Sequence, residues 1–122
     1  MAKVNRQIEA SLIVEAKTPS NIRSSPFQQT WSRLYSANDY FIDLAFDVPN
    51  EKAIVRGQVL LPSNSGPIDQ GMVKLYLDKK TSLETNLDAS GTFAFTLEQT
   101  GNYHLIIKLK KNILAVPSIE FL

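Results

Sequence analysis

The sequence contains no cysteine and a single histidine. Without cysteine there are no disulfides, no thiolate nucleophile, no iron–sulfur ligation and no Cys-based zinc site, so stability has to come from the packed core. With His104 the only imidazole, a zinc site would have to be built from carboxylates, and a Ser–His–Asp relay would have to use His104 itself. That residue stands between Tyr103 and Leu105 in an alternating run, which places it on the outer surface of a strand. No serine has the strand-to-helix context of a nucleophile elbow. The chain therefore reads as non-enzymatic, with no catalytic residue, no metal site and no cofactor.

An excess of charge of one sign is missing too: thirteen Lys and Arg face twelve Asp and Glu, a formal charge of +1. No strong overall field draws such a chain to phosphate backbones or anionic lipid, so neither nucleic acid nor membrane is an expected partner. Lys79 and Lys80 with Lys108, Lys110 and Lys111 form the only basic concentration. They read as solubilising turn and strand-end residues, and no aromatics interleave with them to stack single-stranded bases. No apolar run approaches the ~20 residues of a spanning helix. Between Met1 and Leu12, polar Asn5, Arg6, Gln7 and Glu9 stand where a secretory signal needs an unbroken apolar stretch, which points to the cytoplasm.

What the sequence does have is alternation. From Tyr40 onward apolar residues recur at every second position, the mark of half-buried strands, while helical periodicity is almost absent. Tyr40, Ile42, Leu44 and Phe46 share one face, and Asp39, Asp43 and Asp47 the other. The pattern returns in Val73, Leu75 and Leu77, in Phe93, Phe95 and Leu97, and in Tyr103, Leu105, Ile107 and Leu109. Phe93, Phe95, Leu75, Leu77, Tyr103, Leu105 and Ile107 are the expected core. Residues 53–61 read as a further strand, 82–87 as another forming a hairpin with 93–98, and 112–122 as the last. Between runs lie turn clusters such as Asp88-Ala89-Ser90-Gly91 and Thr100-Gly101-Asn102, where Gly supplies positive φ and Asn or Asp tolerates it. Gly91 is the residue best placed for positive φ. Pro117 cannot donate to a ladder and belongs on an edge, at a bulge or at a strand end.

The first thirty-five residues read less sharply. Ile8, Ala10, Leu12 and Val14 alternate as a strand should, although Val4, Ile8 and Leu12 also keep helical spacing; the strand is favoured. Lys17 to Gln29, with two Pro and few apolar anchors, is expected to be a long surface connection. Trp31, Leu34 and Tyr35 are expected to pack on the sheets. The length of 122 residues fits one domain spanning 1–122. The fold class expected is all-β: an antiparallel β-sandwich of about seven to nine strands.

Several segments carry a family resemblance: Val55-Arg56-Gly57-Gln58-Val59, Gly71-Met72-Val73-Lys74-Leu75, Leu87-Asp88-Ala89-Ser90-Gly91-Thr92-Phe93-Ala94-Phe95 and Thr100-Gly101-Asn102-Tyr103-His104-Leu105. In order and spacing these resemble the carboxypeptidase regulatory-like domain, a transthyretin-like (prealbumin-like) sandwich related to the B-type repeats of bacterial adhesins. The resemblance implies a regulatory-like core at 50–122, with 1–49 adding strands and a long loop at about 17–30. Upstream, the stretch from Arg33 to Leu44 is similar to a segment preceding such domains in small bacterial proteins encoded near sigma-factor and anti-sigma-factor genes, which implies work in a bacterial cytoplasm. Where members of that group often carry Gly, this chain has Asn38, which also accepts positive φ. Adhesin repeats often close a Lys–Asn isopeptide bond; the corresponding strand here offers Arg56, whose guanidinium is no such nucleophile. Transthyretin-like hydrolases use several histidines, which this chain lacks.

The shared motifs describe turns and core aromatics. They imply a non-catalytic module for protein–protein interaction or regulation, with a protein partner. The competing expectation is a carbohydrate-binding or structural sandwich, for which Trp31, Phe27 and Tyr76 are the candidate stacking residues. Asp39, Asp43 and Asp47 could suggest calcium, but successive members stand roughly 13 Å apart along a strand at ~3.3 Å per residue. One ion gathers oxygens within about 2.6 Å, so a solvated face is the better account.

Overall fold

The computed structural model describes residues 6–19, 29–49, 52–60, 71–77, 81–109 and 112–121. Where apolar and polar residues alternate, the chain is extended: β1 (Arg6–Glu9), β2 (Ser11–Pro19), β3 (Gln29–Ala37), β4 (Tyr40–Asp47), β5 (Ala53–Leu60), β6 (Met72–Leu77), β7 (Thr81–Asn86), β8 (Thr92–Leu97), β9 (Gly101–Lys108) and β10 (Asn112–Phe121). They form two five-stranded sheets, a back sheet in the order β1-β10-β9-β6-β7 and a front sheet in the order β2-β3-β4-β5-β8. All pairings are antiparallel except that of β1 with β10. The architecture is thus all-β, two mostly antiparallel sheets consistent with a sandwich, with ten strands among the described residues where about seven to nine were expected. Among the described residues no helix is long and apolar enough to cross a membrane.

The two sheets meet through large rings. Phe121 of β10 stacks on Trp31 of β3 at 5.3 Å between centroids and meets Phe46 of β4 edge-on at 4.9 Å. Tyr103 of β9 closes the group at 5.2 Å from Phe121. Offset and edge-to-face rings at such distances add to the stabilisation from burial alone. Ile42, Leu44, Val73, Ile107, Leu114 and Phe121 lose essentially all solvent contact, and no polar or charged residue is classed as buried among the described residues. The expected core residues Phe93, Phe95, Leu75, Tyr103, Leu105 and Ile107 are buried. Leu77 is only half-buried and packs at the core margin. Trp31 and Tyr35 are buried, whereas Leu34 is half-buried on the outside of the front sheet, because it alternates with them.

Three expectations are corrected. Segments 82–87 and 93–98 do not form a hairpin: β7 pairs with β6 and β8 pairs with β5, so Asp88-Ala89-Ser90-Gly91 carries the chain from one sheet to the other. A short link with turn residues is also what an inter-sheet crossing needs, and local sequence does not distinguish the two. The run from Ile8 to Val14 is neither one strand nor a helix. The chain crosses between sheets at Ala10, whose N–H donates to the Ala115 carbonyl at 2.8 Å, and β2 carries a bulge between Leu12 and Val14. Finally, the connection expected over 17–29 begins later, because β2 continues to Pro19 and β3 starts at Gln29; its middle lies outside the described residues.

Other expectations hold. Pro117 sits in the β10 bulge between Val116 and Ile119, where a missing N–H interrupts no ladder bond. Gly91 has φ of 82° and Asn38 of 54°, each a left-handed residue closing a turn.

Candidate interaction face

The outer face of the front sheet is built from the residues that alternate with the core set. Its rows follow from strand register: Ser11, Ser36, Phe41 and Leu60 lie side by side across β2 to β5. The next outward row joins Val14, Leu34, Asp43, Gln58 and Thr92, and the third joins Ala16, Ser32, Ala45, Arg56 and Ala94. Apolar side chains therefore recur along one end of the sheet, Val14 opposite Leu34 and Phe41 opposite Leu60. The described residues include five exposed large hydrophobics, Leu12, Ile13, Val14, Phe41 and Leu60, at 40 to 58% exposure, and all belong to this end of the front sheet.

The bulge explains why β2 contributes three of them in succession. Ahead of it Leu12 stands opposite Tyr35, on the inner side; beyond it Val14 stands opposite Leu34, on the outer side. An inserted residue reverses the alternation, so the apolar positions of β2 no longer share one buried face. Leu12 points inward near the end of the sandwich, where a cleft is lined by Glu15, Lys17, Arg33, Ser118 and Glu120, and so stays wet.

Beside this apolar end lies a shallow depression floored by Ala45 and Ala94, with Asp43, Arg56, Gln58 and Asp88 around it. Short side chains in the third row leave the depression, and the longer ones frame it with charges of both signs. Asp88 is held in place by its own turn. Its Oδ1 accepts the backbone N–H groups of Ser90 at 2.9 Å and Thr92 at 3.0 Å and the Ser90 hydroxyl at 2.7 Å; its Oδ2 accepts the Thr92 hydroxyl. Hydroxyl donation from Ser90 and Thr92, with the backbone amides, holds the Asp88 carboxyl well below the usual carboxylate range. Gln58 fastens the turn to β5 through a bond from its Nε2 to the Ser90 carbonyl at 3.3 Å.

Arg33 was not singled out by sequence reasoning. It points inward between Trp31 and Tyr35, with its guanidinium carbon 4.0 Å from the Trp31 ring centroid and an ion pair to Glu15 on β2. Its Nη1 also reaches the Tyr35 hydroxyl at 3.4 Å. A guanidinium tolerates this position because it stacks on an aromatic face and keeps a carboxylate partner. The signal was present in the sequence: a cation at the middle of the alternating run Trp31, Arg33, Tyr35.

The other singled-out residues are scattered. Asp43 and Asp47 are exposed on the outside of β4 and Asp39 sits in the turn after Asn38; among the described residues no three His, Asp or Glu gather as a metal set. His104 faces outward from β9 but is half-buried rather than fully at the surface. It lies 6.3 Å from the Tyr76 ring on the neighbouring strand, and its Nε2 is shielded from water with no hydrogen-bond partner among the described residues. A central strand crowded by a cross-strand aromatic accounts for that burial. Arg56 stands on the outer face, Lys108 is exposed at the end of β9, and Phe27, Lys79, Lys80, Lys110 and Lys111 lie outside the described residues. Trp31 and Tyr76 are on opposite sheets and form no common platform.

Comparison with known proteins finds no matching family model, no matching curated protein and no matching solved structure.

Proposed function

We propose that this chain is a non-catalytic interaction module that binds a protein partner through the outer face of its front sheet. The observation that carries the reading is the series of exposed apolar residues along one end of the front sheet, Ile13 and Val14 on β2, Phe41 on β4 and Leu60 on β5, next to a depression bordered by Asp43 and Arg56. Isolated exposed apolar residues are ordinary; a cluster rimmed by polar groups is what protein-binding surfaces present. Apolar contact supplies affinity there, while the flanking charges set register and choice of partner. The likeness of several segments to the carboxypeptidase regulatory-like domain supports the same reading and carries the expectation of a bacterial, cytoplasmic setting with no nucleic acid involved.

The sugar-binding alternative loses its main candidate, since Trp31 is 5% exposed and stacked between Phe121 and the Arg33 guanidinium. The test is paired. Phe41→Ser with Leu60→Ser should leave the melting temperature within a few degrees, because both side chains are already exposed, while protein captured from bacterial lysate by the wild-type chain is lost. Capture that survives the double substitution, or binding of oligosaccharide arrays instead of protein, would overturn the proposal.

A further inference from the structure

The border strand of the front sheet also has a free flank, distinct from the outward side chains of Phe41 and Leu60. Among the described residues β2 is the terminal strand there and pairs with β3 alone, so along its nine residues every second one turns its backbone donor and acceptor to a side that no described strand covers. We infer that β2 pairs antiparallel with β2 of a second copy of this chain, in a register centred on Ala16, joining the two front sheets across a two-fold axis.

Charge selects the register. Beyond the bulge, Val14 and Ala16 face outward and Glu15 and Lys17 inward, as their partners on β3 show. Side chains keep to matching faces across a two-fold axis perpendicular to the sheet only when a residue of this regular stretch pairs with itself. Centring on Glu15 or on Lys17 sets like charges directly opposite, which is destabilising. Centring on Val14 puts Glu15 against the bulged Ile13. Centring on Ala16 sets Glu15 against Lys17 of the second copy, twice over, with only a methyl group from each chain at the axis. Pro19, which has no N–H to give, then falls opposite Ile13, the residue already outside the regular ladder. Glu15 already holds Arg33 of β3 and lies 3.6 Å from Lys17 of its own strand; with side chains 25% and 51% exposed, Glu15 and Lys17 still reach solvent at the edge. The contact is made by the edge backbone and by Glu15 and Lys17, whereas the partner-binding reading is tested at Phe41 and Leu60, so the two are read separately.

Sedimentation equilibrium across a range of concentrations should show a monomer–dimer equilibrium. Lys17→Glu, which sets carboxylates at 15 and 17 against each other, should weaken the dimer about tenfold or more. The chain has no native cysteine, so single cysteines report geometry cleanly. Oxidation of Ala16→Cys should link dimers, since Cα atoms directly opposite are about 4.5–5.5 Å apart, within disulfide reach. Ser32→Cys on β3 should not link, being separated from its copy by about three strand spacings, roughly 14 Å. Phe41→Ser with Leu60→Ser should leave the dimer intact. A chain that stays monomeric throughout would overturn the inference and make Lys17 and Pro19 guards of the edge. So would a dimer indifferent to Lys17→Glu, or one that links as readily through position 32 as through 16.

Discussion

The ring of Phe93 on β8 lies across the backbone of Gly57 on β5. A Cβ built on Gly57 would fall on the Phe93 Cζ and come within 2.6 Å of Cε1 and 2.7 Å of Cε2. The two residues are direct cross-strand partners on the inner face, and Phe93 in turn meets Phe95 edge-on at 6.0 Å. Glycine weakens a strand by leaving nothing to pack, and here an aromatic ring fills the gap.

Gly57→Ala is therefore expected to destabilise by about 1–3 kcal/mol, the usual result of forcing extra volume into a packed core. Phe93→Leu should cost stability alone yet recover part of the Gly57→Ala loss, because a smaller group vacates the space. Urea midpoints for the single and double variants give the coupling; strict additivity would show that the ring moves aside freely.

Much of this packing was legible. The alternation of Tyr40 to Phe46, of Phe93 to Leu97 and of Tyr103 to Ile107 fixes which side chains go inward, because a period of two has only two phases. Turn chemistry marked Gly91 for the same local reason, and Asn38 stood out where the resembling proteins often carry Gly. Which strands pair was not legible. Asp88 to Gly91 has the same residues whether it closes a hairpin or carries the chain between sheets. The bulge at Ile13 follows no residue signal either, and it is what turns Val14 outward and adds β2 to the apolar end of the face. Arg33 could have been found as the charge in the middle of an inward-facing row.

Trp31 is the only tryptophan, which makes the aromatic group between the sheets easy to follow. Its emission should be blue-shifted in the native chain. Phe121 touches Trp31, Phe46 and Tyr103 at once, so Phe121→Ala should cost roughly 3–5 kcal/mol, the range for a large buried aromatic, and red-shift the emission. A loss under ~1 kcal/mol would place Phe121 outside the core.

Asp88 gives a pH signature. Its carboxyl is held below the usual carboxylate range by donors from Ser90 and Thr92, so the folded chain binds this proton less readily than the unfolded chain does. For a depressed acid, the stabilisation is complete above the unfolded pKa and disappears as pH falls through the folded one. Between about pH 7 and 4 the contribution of Asp88 should be full and nearly constant, and it should fade only in stronger acid. Carboxyl chemical shifts through an acid titration check this; an Asp88 titration in the ordinary range would show that the turn does not hold the charge. Asp88→Ala should remove the acid-dependent component from the stability profile.

The same turn tests the role of Gly91. Its φ of 82° is open to glycine at no steric cost and closed to a β-branched residue. Its N–H donates to the Asp88 carbonyl at 2.9 Å, and its own carbonyl accepts the Val59 N–H at 2.8 Å, so the residue ties the crossing to β5. Gly91→Val should therefore cost at least about 1–2 kcal/mol. Gly91→Asn should cost less, because asparagine visits the left-handed region more readily. The damage should appear in the β5–β8 ladder, since losing the bond to Val59 frees the start of β8. Amide exchange should accelerate first at Val59 and then in β8, while β9 and β10 keep their protection. If Gly91 instead gave a ligand close approach to the backbone, Gly91→Val would abolish partner binding at an unchanged denaturant midpoint. Measuring both quantities on the same variant separates these outcomes, and an unchanged midpoint would reject the structural role.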